Sequence, residues 1–278
     1  MSAGRGAVKE AKHTMITVWK EEPKAGVTFP EGFVASGVRC GIKSLGNDLA
    51  LLVCDSVASV AGVFTTNHVQ AACVQYSRRV AKGGKARAVV VNAGNANACN
   101  GEQGDHDNRM MAEWVSRHLS IPSDYVFTAS TGIIGHVMPM EKIRAGVECA
   151  VSQLERGNAT DQNAVEAIMT TDTYPKYQAV TVDCDTWVEP IRFGGMCKGS
   201  GMIAPNMATM LAYILTDLDV PKDTLDKILK RVVKKSFNSI SVDGDQSTSD
   251  TVFIMSSQIV PFAQSSEAEF ESALLEVC

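Results

Sequence analysis

The chain has 278 residues, 45% of them hydrophobic and 21% charged, with a formal net charge of −5. That is ordinary for a globular enzyme, and the length suits one large domain or two modest ones. Acids and bases are interspersed, so no basic stripe marks a nucleic-acid binder, and no apolar run approaches the roughly 18 residues that cross a bilayer.

The first fourteen residues read as a loose tail, with Met15 as an alternative start. They lack the apolar core of a secretory signal. The segment is short and carries Glu10, so the expectation is a cytoplasmic protein rather than a mitochondrial one. The eight cysteines form no C-x-x-C pair, and the five histidines show no H-x-x-x-H spacing. Neither a metal site nor a disulfide framework is expected, and the cysteines read as small buried hydrophobes of a reducing compartment.

Residues 49–55 and 61–65 read as two strands joined by a turn at 56–60, and 87–91 as a short buried strand ending in the small-residue loop 92–97. A helix is expected over 107–119, with Met110, Met111, Trp114, Val115 and His118 on its packed stripe. A strand over 125–129 should feed a turn at 130–132. Helices follow over 140–154 and 164–169, then a hairpin of 178–182 with 187–193 around 183–186. After a small-residue stretch at 199–209 and an apolar run at 210–215, a long helix is expected over 221–236, a strand over 251–256 and a last helix over 267–277. Strands in hairpins and helices in blocks argue for an α+β fold with antiparallel sheet.

The most informative stretch is K-G-S-G-M-I-A-P-N-M-A-T-M-L at 198–211. By itself it reads as a glycine-rich turn with Thr209 opening a strand. It is not a phosphate loop, because its lysine precedes the glycines. The acids at 243, 245 and 250 lack the order of a calcium loop and read as turn and hydrogen-bonding residues.

The stretch resembles the signature of the ornithine acetyltransferase (glutamate N-acetyltransferase) family, the bifunctional proteins of arginine biosynthesis. Further motifs match in the same order: G-V-R-C-G-I-K at 37–43, A-G-V-F-T-T-N at 61–67, N-A-G-N-A-N-A-C at 92–99, S-T-G-I-I-G at 130–135, I-M-T-T-D-T at 168–173 and V-D-G-D-Q-S-T-S-D-T at 242–251. The likeness runs from about residue 32 to the C-terminus.

The resemblance implies an α/β/β/α layered sandwich and a precursor that cleaves itself between Ala208 and Thr209. It divides the chain into a tail at 1–14, an α-chain part at 15–208 and the start of a β chain at 209–278. Thr209 becomes the nucleophile. The Thr131 hydroxyl and Gly132 amide are the implied oxyanion donors, and Thr170 and Lys198 contact substrate together with Thr209, with Thr171 the alternative to Thr170. The implied reaction moves an acetyl group from N2-acetylornithine to glutamate through acetyl-Thr209, without a metal or prosthetic group. Acetyl-CoA remains open as a further donor, and α2β2 assembly follows cleavage.

The chemistry is sound: a threonine hydroxyl is a poor nucleophile without an adjacent base, and cleavage supplies one as the Thr209 α-amine, whose ordinary pKa is about 8. Lys198 is a natural partner for a substrate carboxylate. Asn95, Asn97 and Asn100 read equally as site-lining amides or as turn residues. Family members continue past Cys278, so the resemblance implies a truncated chain. The rival readings are an N-terminal-nucleophile amidase or aminopeptidase that passes the acyl group to water, and a non-catalytic fragment of the transferase.

Overall fold

The computed structural model describes residues 18–185, 187–201, 210–240, 243, 246–263 and 266–278. Nine strands run as β1 (Val18–Glu21), β2 (Phe33–Val38), β3 (Leu49–Phe64), β4 (Lys85–Asn95), β5 (Val126–Ile133), β6 (Lys176–Asp183), β7 (Ile191–Lys198), β8 (Leu211–Asp219) and β9 (Thr251–Pro261). Six helices accompany them: α1 (Ala72–Gly83), α2 (Gly101–Leu119), α3 (Met140–Ser152), α4 (Asn158–Ile168), α5 (Lys222–Lys235) and α6 (Glu267–Val277). The strands pair in the order β1-β6-β7-β8-β9-β3-β4-β5, with β2 also on β3.

β3 makes this one network into two leaves. Its pairing with β4 is broken between Val53 and Ala58. Before the break β3 pairs with β2 and β4; after it, Ala58 and Ser59 still pair with β4, and Ser59–Phe64 pairs with β9. The expected pair of strands is therefore a single irregular strand, because the bulge bends the chain without releasing it from the sheet. The leaves face each other: Phe127 of β5 lies with its ring centroid 3.8 Å from that of Phe253 of β9, and Phe64 stands 5.9 Å from Phe127.

Period-two alternation then assigns the layers. Leu211, Tyr213 and Leu215 of β8 join the core between the leaves, while Ala212 and Ile214 belong to the second, outer apolar cluster that also takes in residues of α5 and α6. On α5, Leu225, Ile228, Leu229, Val232 and Val233 make the buried stripe, and Lys234 and Lys235 occupy the last turn, where a helix dipole favours cations. Helices α1 to α4 cover the other leaf, as in the contacts of α4 with β2 and of α1 with β5. This is the expected α/β/β/α sandwich.

Several local expectations need correction. The sheet is mixed, since β4–β5 and β8–β9 are parallel. β5 continues to Ile133, so Thr131 and Gly132 belong to a strand end and not to a turn. Of the hairpin strands, the first is found as β6 (Lys176–Asp183) around the expected 178–182, whereas the second lies further along, at Ile191–Lys198. On α2, Met111, Ala112 and Val115 are buried, whereas Met110 and Trp114 are half-buried and His118 is exposed. β1, β2 and α1 had no sequence expectation. Among the described residues, no helix is long and apolar enough to cross a membrane.

One buried carboxylate fixes the loop that supports the end of β4. Asp48 accepts the amides of Cys40 (2.6 Å), Gly41 (3.0 Å), Ile42 (2.6 Å) and Lys43 (2.9 Å). It is fully buried. Gly94, with φ of +107°, sits against that loop so closely that a Cβ there would lie 2.8 Å from Ile42 Cγ2. Charge-assisted bonds of this kind are each worth about 1.5–3 kcal/mol. Asp48→Ala should therefore cost about 2–4 kcal/mol, allowing for non-additivity, while Asp55→Ala on the exposed surface costs under about 0.5 kcal/mol. Urea unfolding of the two variants compares these costs directly.

Candidate active site

Inward-facing side chains at one end of the two leaves make the candidate site. Lys198, the last residue of β7, pairs with Leu211 of β8 and so shares its inward face. Thr131 follows Phe127 and Ala129 on the inward face of β5. The two side chains meet across the gap: Lys198 Nζ donates to Thr131 Oγ1 at 3.3 Å. Both are buried, Lys198 at 3% and Thr131 at 5% exposure.

Gly132 extends the strand with φ of +131°, and a Cβ there would lie 2.3 Å from the Gly94 carbonyl carbon. Only glycine allows β5 to lie this close to β4 at a backbone angle that disfavours side chains. The amide of residue 132 is therefore placed by sheet pairing, in register with Gly94.

Of the two threonines expected to touch substrate, Thr170 is half-buried and Thr171 exposed. Neither is hydrogen-bonded to Lys198. They are linked to it through Asp172, whose Oδ2 accepts the Thr170 amide at 3.3 Å and whose Oδ1 accepts the Gly199 amide at 2.7 Å. Lys176 Nζ closes on the same Oδ1 at 2.7 Å. Burial alone would push the Asp172 carboxyl up, but Lys176, these two amides and the Lys198 charge outweigh it and hold the carboxyl below its usual range. Burial pushes the Lys198 ammonium down, opposed by the negative charges of Asp172 and Asp250.

Ala208 and Thr209 lie outside the described residues, as do 202–207. Their chain neighbour Met210 is held firmly: its amide donates to Asp250 Oδ1 at 2.9 Å, and its carbonyl accepts the Thr251 amide at 3.0 Å. Asp250 is 1% exposed, and burial raises its pKa to about 7 against the pull of the Met210 amide, Ser247 and Lys198. The segment before it is tied to the end of β3, where Thr65 Oγ1 donates to the Ser247 carbonyl at 2.8 Å and the Thr65 amide to the Asp250 carbonyl at 2.9 Å.

The asparagines resolve toward the loop-building reading. Asn95 Nδ2 donates to the carbonyls of His136 (3.0 Å) and Val137 (3.1 Å), and Asn97 Nδ2 to that of Gly104 (2.9 Å). Asn97 has φ of +47°. Asn100 donates to Asn97 Oδ1 and to the His136 carbonyl. These side chains spend their hydrogen bonds on protein backbone or on each other. The sequence reading missed Asp172 and underread Asp250. The available signal was their place inside M-T-T-D-T and just ahead of the apolar run of β9.

Comparison with known proteins gives the site a context. The model described as the ArgJ family matches residues 34–278. The arginine biosynthesis bifunctional protein ArgJ of Caldanaerobacter subterraneus subsp. tengcongensis is 47% identical over 245 residues, which are 88% of this chain and 60% of that protein. The glutamate N-acetyltransferase of Methanothermobacter thermautotrophicus is 42% identical over 255 residues, 92% of this chain and 61% of that one. The chain thus spans about 60% of the length of these curated relatives. Among solved structures, ornithine acetyltransferase of Mycobacterium tuberculosis in complex with ornithine superposes with a TM-score of 0.61 at 36% identity, covering 70% of this chain and 100% of that one.

The buried carboxyl of Asp250 generates a pH prediction. Its folded pKa lies above the unfolded value of about 3.9, so its contribution to stability is complete below about pH 4 and is lost as pH rises through about 7. The full swing is on the order of 4 kcal/mol. Asp250→Asn removes that loss. The variant's urea midpoint, relative to the parent chain, should therefore improve between pH 4 and pH 8; an offset that stays flat across this range refutes the assignment.

Proposed function

This chain belongs to the ArgJ family, and we propose that it is an acetyltransferase of arginine biosynthesis, in whole or as part of a longer protein. It moves acetyl from N2-acetylornithine to glutamate through Thr209. The observation that carries the reading is the buried Lys198–Thr131 hydrogen bond. It sits at the sheet end from which the chain leaves Lys198 and returns at Met210, with Thr209 between them.

In this reading the Thr209 hydroxyl attacks the Ala208 carbonyl carbon, the peptide C–N bond breaks, and the hydroxyl proton passes to the departing nitrogen. The resulting ester is opened by water, leaving the Ala208 carboxylate and a free Thr209 hydroxyl beside its own α-amine. That amine then takes the hydroxyl proton as the oxygen attacks the acetyl carbonyl of N2-acetylornithine. Ornithine leaves as that proton passes from the α-amine to its departing nitrogen; the glutamate amine then attacks the acetyl-threonine ester, giving up a proton through the α-amine to the threonine oxygen as the C–O bond breaks.

Each tetrahedral stage carries an oxyanion, for which the Thr131 hydroxyl and Gly132 amide are the proposed donors. The geometry supports the first. A hydroxyl that accepts an ammonium N–H on a lone pair has its own proton free, and donates it more strongly to a third group. An ammonium has three donors, so Lys198 can polarise Thr131 with one and still meet a substrate carboxylate with another. Thr170, anchored beside Gly199 by Asp172, is better placed to reach the same substrate than the exposed Thr171. The reaction needs no cofactor, and acetyl-CoA remains an alternative acetyl donor. We assign the protein to the cytoplasm, as an α2β2 assembly of the fragments before and after Thr209.

Intact-mass measurement tests the reading. The purified chain should contain fragments 1–208 and 209–278, the second beginning with threonine. Thr209→Ala stays whole, and Thr209→Ser cuts partially. Thr131→Val slows the cut by about 10²–10³-fold, the usual cost of losing one oxyanion donor. Cut protein should pass acetyl from N2-acetylornithine to labelled glutamate. Free acetate that glutamate does not divert would instead identify an amidase, and a folded chain that stays whole and transfers nothing would be the non-catalytic fragment.

A further inference from the structure

Away from Lys198 and Thr131, α1 and α2 enclose a polar cleft in the helical layer over β5. One face of each helix makes its walls: positions 72, 75, 76 and 79 of α1, and 105, 108 and 109 of α2, spaced three and four apart as neighbours on a helix surface are. The cavity measures about 80 Å³, several times the roughly 10–15 Å³ that a single water needs. It shares Ala72, Gln75 and Asp105 with a wider hollow of about 340 Å³ at the start of α2. Helix α1 sits on the outer side of β5, where Ser77 Oγ donates to the Thr128 carbonyl at 2.6 Å, whereas Lys198 and Thr131 meet between the leaves.

Asn108 distinguishes this cleft from a packing gap. It is 1% exposed and shares the buried face of α2 with Met111, Ala112 and Val115. Neither its Oδ1 nor its Nδ2 has a hydrogen-bond partner among the described residues. A buried amide in that state costs stability unless something else takes up its donor and its acceptor. The Tyr76 hydroxyl of the facing wall is committed elsewhere, donating to the Ser123 carbonyl at 2.8 Å. The rim carries both signs of charge. Arg79 lies over the Tyr76 ring, 5.4 Å from its centroid, and Asp105 and Arg109 flank Asn108 on α2. Arg117 of the same helix pairs with Glu113, but Arg79, Asp105 and Arg109 form no salt bridge among the described residues.

These groups select the ligand. A carboxylate alone satisfies Asn108 Nδ2 and the guanidinium groups, but it meets Oδ1 and Asp105 with charge of the same sign. An amine alone does the reverse. A carboxylate and an ammonium on one carbon satisfy both sets: the anion accepts from Nδ2 and the arginines, and the cation donates to Oδ1 and Asp105. We propose that the α1–α2 cleft is a second binding site, separate from the acetyl-transfer site, that takes the head group of a free α-amino acid and directs its side chain into the wider hollow. An N-acylated amino acid lacks the cation and does not fit.

The test is a titration of the isotope-labelled full chain with glycine, the head group alone, followed by amide NMR. Glycine at up to about 10 mM should shift the amides of 72–79 and 101–109, since a single head group binds with a Kd near the millimolar range. Acetate, methylamine and N-acetylglycine, each lacking one half of the charge pair, should leave them in place. The Lys198→Met chain should show the same glycine shifts, because the cleft does not depend on the acetyl-transfer site. Asn108→Leu should abolish them, and Asp105→Asn and Arg109→Met should each weaken binding about tenfold. Where Asn108→Leu does not fold, the two rim variants decide the matter alone. A cleft that glycine leaves unshifted holds water only, and the proposal fails. It fails equally if acetate binds as well as glycine, or if folded Asn108→Leu keeps the parent's response.

Discussion

A lysine ammonium 3% exposed between two β leaves constrains everything around it. Removing such a charge from water costs several kcal/mol unless hydrogen bonds and opposite charges offset it. Here the offset comes from three segments distant in sequence: the Thr131 hydroxyl on the facing leaf, Asp172 in the loop after α4, and Asp250 ahead of β9. The two carboxylates also fix backbone. Asp172 binds the amides of Thr170 and Gly199, and Asp250 binds that of Met210. Compensating one buried cation thus holds both ends of the segment that contains Thr209.

The surrounding polar residues rigidify loops and leave the central groups free for chemistry. Asp48 gathers four successive amides, and that loop presses on Gly94. Gly94 in turn meets Gly132 in the parallel pairing of β4 with β5. A chain of backbone contacts therefore runs from a surface turn to the amide proposed as an oxyanion donor. The asparagines of 92–100 extend the same support, tying the end of β4 to 136–137 and to the start of α2. Placement of this kind by sheet register and buried acceptors is stiffer than placement by exposed loops.

The layered architecture explains why the site forms where it does. The inward faces of both leaves are filled by apolar side chains, among them Phe64, Phe127 and Phe253, until the strands end. At that end Met196 and Leu211 are the last apolar contributors of β7 and β8, and Lys198 and Thr131 replace further packing with polar groups. The outer helices carry much of the burial that keeps the leaves in place, as with the α5 stripe, whose helix packs on β3 and α6.

The sequence by itself determined the helices with clear apolar periodicity, including α5 within a residue at each end and α6 at its observed bounds, because a buried helical stripe is written locally. Resemblance to a family's motifs, whose order and spacing survive in one dimension, also singled out Thr131, Gly132, Lys198 and Thr209 as candidates. The sequence did not determine that β3 is one strand, that the sheet is mixed, or that Thr131 ends a strand, because pairing partners lie far along the chain and only register reveals them. Nor did it distinguish Asp172 and Asp250 from the solvated acids near them in sequence. Whether a carboxylate is buried, and which amides and cations it faces, depends on segments brought together by the sandwich: Asp250 meets Met210 across 40 positions, and Lys198 meets Thr131 across 67. The charge balance of the site is for that reason a property of the tertiary structure, set by desolvation and distance, neither of which any local pattern of residues encodes.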